Sequence, residues 1–274
     1  MTYEFIPKML QRAIWVPTRL LLRYFIHLEI EGTDNIKNLP RGIIFALNHS
    51  SELDPIVLPA SFPFLSRHFP MFYTSRERSF YKNSSWRKLF YGGALFKFWG
   101  AYPVQAGQHN YEASLETHIE ILNHKNSLCI FPEGYKTRDG NLGKGKGGVA
   151  YLSFKTGLPV VPVALTNLWK IGFKNFILRR RYTVISFGAP IYPKDLFAFC
   201  GGAPKITPDR NDFVIAADLV MRNIATLLAV AENLTPPNIS VKFPSGNKRY
   251  EKQTTTPINA GTSADPMGSA VKKR

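Results

Sequence analysis

Short apolar runs alternating with segments of helical spacing predict an α/β protein, with a largely parallel or mixed central sheet flanked by helices. Three observations carry that expectation. The runs "GIIFAL" (42–47), "SLCIF" (127–131) and "PVVPVAL" (159–165) are apolar almost without interruption, as strands covered on both faces are. Between them, Tyr111, Leu115, Ile119 and Leu122 recur at helical spacing. A chain of 274 residues, 45% of them hydrophobic, can also fill one sizeable core.

The N-terminal region, residues 1–30, forms an amphipathic helical segment. On a wheel of 100° per residue, Lys8, Arg12, Arg19 and Arg23 fall within an arc of roughly 60°. Leu10, Ile14, Leu21 and Leu28 gather opposite them. Two readings fit: a helix lying in a membrane interface, and a helix docked on the protein's own core. Pro17 predicts a kink or two shorter helices. "AIWVPTRLLLRYFI" is interrupted by Pro17, Arg19 and Arg23, and no later segment is expected to reach spanning length. With no secretory signal visible either, the chain is expected on the cytoplasmic face of any membrane it meets.

A folded domain follows over residues 31–234. "GIIFAL" is a strand, and Asp54-Pro55 opens a helix with Asp54 as N-cap and Pro55 in first position. After the helix of residues 111–122 come the strand "SLCIF", the helix "VAYLSFKTG" closing on Gly157, and the strands "PVVPVAL" and "YTVISFG". Residues 212–233 form a long helix with acids early in it. From residue 235 to 274 the composition turns to Pro, Thr, Ser, Asn, Gly and Lys without periodicity, which predicts a disordered basic tail.

Lysine and arginine outnumber the acids 35 to 19, a formal net charge of +16 that calls for an anionic partner, either nucleic acid or an acidic membrane surface. Fourteen aromatic residues between Phe62 and Tyr102, interleaved with cations such as Arg76, Arg78 and Lys97, suit a headgroup layer, a slot for an apolar chain, or ordinary core packing. Two cysteines are too few for a disulfide framework or a zinc site, and Cys129 sits in an apolar run as a core residue would. No metal site is expected.

Two segments carry chemistry. In "FALNHSSELDP", His49 follows a predicted strand and Asp54 stands five positions on, a spacing that lets them meet only if the chain turns between them. If they meet, the carboxylate fixes the imidazole tautomer and leaves the other nitrogen free to take a proton; if not, Asp54 is a helix cap. In "FPEGYKTRDGNLGKGKGG", Lys136, Arg138, Lys144 and Lys146 lie among glycines, a composition that suits an anion site as well as a basic surface loop. Gly140, Gly145 and Lys146 imitate a phosphate-binding P-loop, but Gly147 stands where Ser or Thr is required and no strand precedes the run.

Taken together, the segments resemble the glycerophospholipid acyltransferases, most like the bacterial-type lysophosphatidic acid acyltransferases. "NHSSELDP" is similar to their first motif, "GAYPVQA" stands in the place of the second, "FPEGYKT" resembles the third and "VVPVAL" the fourth. The resemblance runs from about Gly32 to Pro190, and the basic, apolar N-terminus is similar to the membrane-anchoring helices of bacterial members. It implies that residues 31–234 are an acyltransferase domain moving a fatty acyl chain from acyl-CoA or acyl-carrier protein to lysophosphatidic acid, with no cofactor. His49 would be the base and Asp54 its orienting acid. Glu133 and Gly134, with Lys136, Arg138 and Lys144, would hold the acceptor's glycerol phosphate, and amides near the histidine turn or Gly134 would face the oxyanion. An anionic membrane surface is the implied partner. Two departures stand out. Ala106 occupies the position of the second motif's arginine, and Tyr135 and Lys136 replace threonine and arginine in the third. Either another cation (Arg76, Arg78 or Lys144) makes the missing contact, or the acceptor is a different lysophospholipid or lyso-glycolipid. A basic nucleic-acid-binding module is the remaining alternative, though no motif of that kind is visible.

Overall fold

A strand with apolar side chains on both faces needs a helical layer on each side, and the computed structural model, which describes residues 2–75, 94–105, 110–198 and 208–234, has that arrangement. Among the described residues seven strands form one sheet in the order β1-β7-β6-β2-β5-β3-β4. They are β1 (Glu29–Glu31), β2 (Ile44–Leu47), β3 (Met71–Ser75), β4 (Ala101–Pro103), β5 (Ser127–Ile130), β6 (Val160–Leu165) and β7 (Val184–Phe187). β2, β3, β4, β5 and β6 run parallel, whereas β7 joins β6 antiparallel and β1 runs parallel to β7. The sheet is mixed.

The central strand β2 shows why the layers form. Phe45 and Leu47 point into one apolar cluster, and Ile44 and Ala46 into the other. Covering the first face are α2 (Trp15–Ile26) and α4 (Asp54–Ser61), with α1 (Thr2–Ala13) packed on α2. The short helices α3 (Asp34–Lys37) and α5 (Ala94–Trp99) lie in connections, α5 against α1. The second face is covered by α6 (Tyr111–Asn123), α7 (Gly148–Thr156) and α10 (Arg210–Leu234), with α9 (Pro193–Ala198) packed on α10. A further short helix, α8 (Phe173–Ile177), interrupts the excursion between β6 and β7.

The N-terminal segment divides at Ile14 into two helices. Its inner side belongs to the core. Leu22 and Ile26 are buried, and the Gln11 side chain donates to the carbonyls of Met71 and Trp99 (2.8 and 2.9 Å) while accepting from the Met71 amide at 2.8 Å. Arg19 leaves the basic stripe expected of it. It turns inward, donates to the carbonyls of Ala60 and Phe62 (2.7 and 3.1 Å) and stacks over Trp15. Leu28 is buried rather than part of the outer apolar stripe. The outer side still exposes Phe5, Met9, Leu20, Leu21 and Tyr24.

One expectation is corrected. α10 is long and apolar enough, by length and composition, to cross a bilayer, although no segment of spanning length was expected. It lies against β6, β7 and α7 with Phe213, Ala217, Val220, Met221 and Ile224 buried, so its apolar side completes the core. The tail of residues 235–274, Arg76, Arg78 and five of the fourteen aromatic residues between Phe62 and Tyr102 (Phe80, Tyr81, Trp86, Phe90 and Tyr91) lie outside the described residues.

Two imidazoles are buried away from the histidine turn. His118 on α6 uses Nε2 toward the Tyr102 carbonyl at 3.2 Å, and its buried Nδ1 has no partner among the described residues. His68 packs against the rings of Phe45 and Phe62. Burial pushes both pKa values down to about 4 from 6.5. Below pH 6.5 each folded imidazole therefore binds fewer protons than its unfolded counterpart, so stability rises with pH through the window and is lost as pH falls from 6.5 towards 4. At the lower end each ring contributes a loss on the order of 3 kcal/mol. Urea unfolding across this window is expected to show that decline, with His118→Gln removing about half of it. A profile flat between these limits contradicts the burial of neutral rings.

Candidate active site

β2, β5 and β6 are parallel, so the segments that follow them emerge at one edge of the sheet. The turn after β2 carries His49, the turn after β5 carries Glu133, and Asn48 locks the end of β6 to the end of β2. Its amide donates to the Leu165 carbonyl (3.0 Å) and accepts from the Leu165 amide (2.8 Å).

His49 and Asp54 meet. His49 Nδ1 donates to Asp54 Oδ2 at 2.9 Å. The same oxygen accepts from the backbone amides of Ser50 (2.6 Å) and Ser51 (2.8 Å). Asp54 has no exposed surface, and burial raises its pKa, opposed by its bonds to His49, Ser51 and Ser50. Backbone amides can only donate, so donors converging on one oxygen hold the ionised carboxylate. Nδ1 then keeps its proton, and Nε2 is the basic nitrogen. Nε2 has no hydrogen-bond partner among the described residues, and the His49 side chain is 20% exposed. The Phe131 ring stacks on the imidazole, centroids 4.1 Å apart.

Asp54 does not act as the helix N-cap. Leu53 holds that position, without a side-chain cap bond, and Asp54 is the first helical residue with Pro55 behind it. Its carboxylate reaches back into the turn it follows rather than forward to the helix amides. Of the two expected uses of this residue, the structure builds the one directed at the ring.

Glu133 is also reassigned. It was expected to contact the acceptor, yet it is 1% exposed and both oxygens are occupied, Oε1 by the His49 amide (2.9 Å) and Oε2 by the Gly143 amide (2.8 Å). Burial raises its pKa, and those two amides oppose the rise. The side chain therefore clamps the histidine turn to the loop after β5. The Thr137 amide, donating to the His49 carbonyl at 2.8 Å, ties the two a second time. Gly134 makes the intervening turn with φ +72°, a conformation that favours glycine. Four of the amides in the regions expected to face an oxyanion are taken as well. Those of Ser50 and Ser51 serve Asp54, that of His49 serves Glu133, and that of Gly134 serves the Phe131 carbonyl.

The loop cations differ in their availability. Lys136 is exposed and pairs with Glu52 at 2.8 Å, while Arg138 and Lys144 are exposed. Lys146, which the sequence groups with the other three loop cations, is the cation nearest Gly134. A β-carbon on Gly134 would lie 2.7 Å from its ammonium, which also sits over the Tyr135 ring. Lys146 also belongs to the P-loop look-alike. The glycines there serve packing instead: a β-carbon on Gly145 would lie 2.7 Å from Met221, and one on Gly147 2.5 Å from the Tyr111 hydroxyl. Ala106 lies outside the described residues. No group of three or more metal-ligating side chains occurs among the described residues.

A basic nitrogen, steered by a buried acid and placed beside a cationic loop, can take a proton from an alcohol whose substituent is anionic. The family model described as Acyltransferase matches residues 27–166, which include His49, Asp54, Glu133 and the whole loop to Lys146. The chain is 28% identical over 151 residues to a chloroplastic 1-acyl-sn-glycerol-3-phosphate acyltransferase of Arabidopsis thaliana, covering 54% of this chain and 38% of that protein. It is 27% identical over 190 residues to a 1-acyl-sn-glycerol-3-phosphate acyltransferase of Limnanthes douglasii, covering 67% and 58%. The chain thus spans less than two thirds of the length of either curated relative. In fold it is similar to the crystal structure of the 1-acyl-sn-glycerophosphate acyltransferase PlsC of Thermotoga maritima, with TM-score 0.52, 20% identity, and 80% and 81% of the two chains covered.

The clamp role of Glu133 is testable. Glu133→Ala leaves two amides without an acceptor and is expected to cost ~2 kcal/mol in urea unfolding. Turnover should fall with little change in the KM for a lysolipid acceptor. A raised KM at unchanged stability would restore the substrate-contact role.

Proposed function

The chain belongs to the acyltransferase family, and from that premise we propose that it transfers a fatty acyl chain from acyl-CoA or acyl-carrier protein to the free hydroxyl of lysophosphatidic acid, forming phosphatidic acid. One observation carries the proposal: Nδ1 of His49 is held by the buried Asp54 while Nε2 has no partner among the described residues, in a turn that the Thr137 amide ties to the cationic loop.

In the proposed reaction Nε2 removes the proton of the acceptor hydroxyl as its oxygen attacks the thioester carbonyl carbon. The new C–O bond forms, the C–S bond breaks, and the imidazolium returns its proton to the departing thiolate sulfur. Asp54 stabilises the imidazolium and remains ionised. Lys146, Arg138 and Lys144 bind the phosphate of the acceptor. The names of the relatives support lysophosphatidic acid as that acceptor. Lysine at positions 136 and 146 supplies charge without the paired donors of arginine, which keeps a second lyso-acceptor as the alternative reading.

The proposed setting is the cytoplasmic face of a membrane. Phe5, Met9, Leu20 and Leu21 on the outer side of α1 and α2 are large apolar side chains exposed beside Lys8 and Arg23, and such a face suits the interface of an acidic bilayer.

His49→Ala is expected to lower acyl transfer by at least ~1,000-fold, and Asp54→Asn by ~100-fold or more. Asp54→Asn also removes a buried charge, so its melting temperature should equal or exceed that of the wild type at neutral pH. The assay is thioester consumption with one donor and a panel of lysophosphatidic acid, other lysophospholipids and lyso-glycolipids. Product only with an acceptor other than lysophosphatidic acid moves the assignment to the alternative. An intact wild type that acylates nothing in the panel ends it.

A further inference from the structure

The excursion between β6 and β7, "LWKIGFKNFILRRR" (168–181), lies outside the family match and is not needed for the chemistry proposed above. It holds five cations and no acid. Within and beside α8, Phe173 is 81% exposed, Ile177 44% and Leu178 49%. Single exposed apolar residues are ordinary, but these are continuous with the outer side of α2, where Leu20, Leu21 and Tyr24 are also exposed. The continuity is built in. Phe176 stacks on Phe25 with centroids 4.9 Å apart, and Arg179 lies over the Tyr24 ring while donating Nε to the Tyr24 carbonyl at 2.9 Å. His27 completes the seam, its Nδ1 donating to the Arg181 carbonyl at 2.9 Å and its Nε2 accepting from Arg179.

Arg181 adds an independent observation. It is 4% exposed, its Nη2 makes a long bond to the Trp169 carbonyl at 3.4 Å, and Nε and Nη1 have no partner among the described residues. A buried guanidinium without a carboxylate is costly in isolation, and a negative surface nearby offsets that cost.

We propose that residues 168–181 form a second lipid-contacting element, which seats Phe173, Ile177 and Leu178 in the interfacial layer of an anionic bilayer and sets Lys170, Lys174 and Arg180 at its headgroup phosphates. The element leaves the sheet from the end of β6, which is bonded at Leu165 to Asn48, the residue before His49, so it brings the lipid surface to the edge that carries the imidazole. It shares a membrane setting with the transferase reading, but its test does not pass through turnover.

The test is flotation of the full chain with phosphatidylcholine vesicles, with and without phosphatidylglycerol. Charge reversal by Lys174→Glu with Arg180→Glu is expected to weaken binding to the anionic vesicles by tenfold or more, at about fivefold per cation. Lys37→Glu with Arg41→Glu, the same change in net charge where β2 begins, should weaken it by less than about threefold. Phe173→Ser with Ile177→Ser is expected to weaken binding to both vesicle types by about tenfold. Each site is exposed, and circular dichroism checks that each variant folds. Equal losses in the two charge-reversed pairs, or no loss in the serine pair, overturn the proposal. So does loss of duplex DNA binding with vesicle binding unchanged. Acyl transfer to a soluble short-chain acceptor is measured separately. Its absence in a chain that still floats through this element rejects the transferase reading and leaves this one standing.

Discussion

The site depends on a negative charge enclosed by protein and held mainly by backbone. Asp54 has no contact with solvent, and two amides of the preceding turn, together with one imidazole nitrogen, close on a single oxygen. Glu133 repeats the device nearby, gripped by the amides of His49 and Gly143. Neither carboxylate is paired with a lysine or arginine among the described residues. A neutralising cation would weaken the acid's influence on the ring, whereas amide dipoles hold the charge in place and leave it available to stabilise an imidazolium.

The surrounding architecture serves that placement. Parallel strands deliver the histidine turn and the glycine-rich loop to the same edge, and Asn48, Glu133 and the Thr137 amide then bind β2, β5 and β6 together there. On the far side of α4, Trp15 and Arg19 donate to the carbonyls that end that helix. The N-terminal helices are therefore part of the mechanical frame as well as a candidate lipid face, which joins the two readings left open by their sequence.

What could be read from the sequence follows burial. β2, β5, β6 and β7 are apolar on both faces and stood out, but β1 is Glu-Ile-Glu at the sheet edge and β4 is Ala-Tyr-Pro at the other, too short and too mixed to register. The meeting of His49 and Asp54 was readable as a possibility, because a turn between them permits it. The direction of the Asp54 carboxylate was not, since a helix start fits either orientation. The resemblance implied a ligand role for Glu133, and its two partners, backbone groups 84 and 10 positions away, leave no mark on composition that would have shown the clamp. Arg19 was counted with the outward cations because a wheel cannot show carbonyls waiting on a neighbouring helix. The family resemblance named the residues of the site without their partners.

α4 has only eight residues, about 12 Å of helix, with the orienting acid at one end and the grip of α2 at the other. Gaining or losing one residue between those points would swing the carboxylate by 100° around the helix axis, away from the ring. Substitutions along this stretch that still fit the core leave the aim of the carboxylate intact, whereas an insertion or deletion there breaks it.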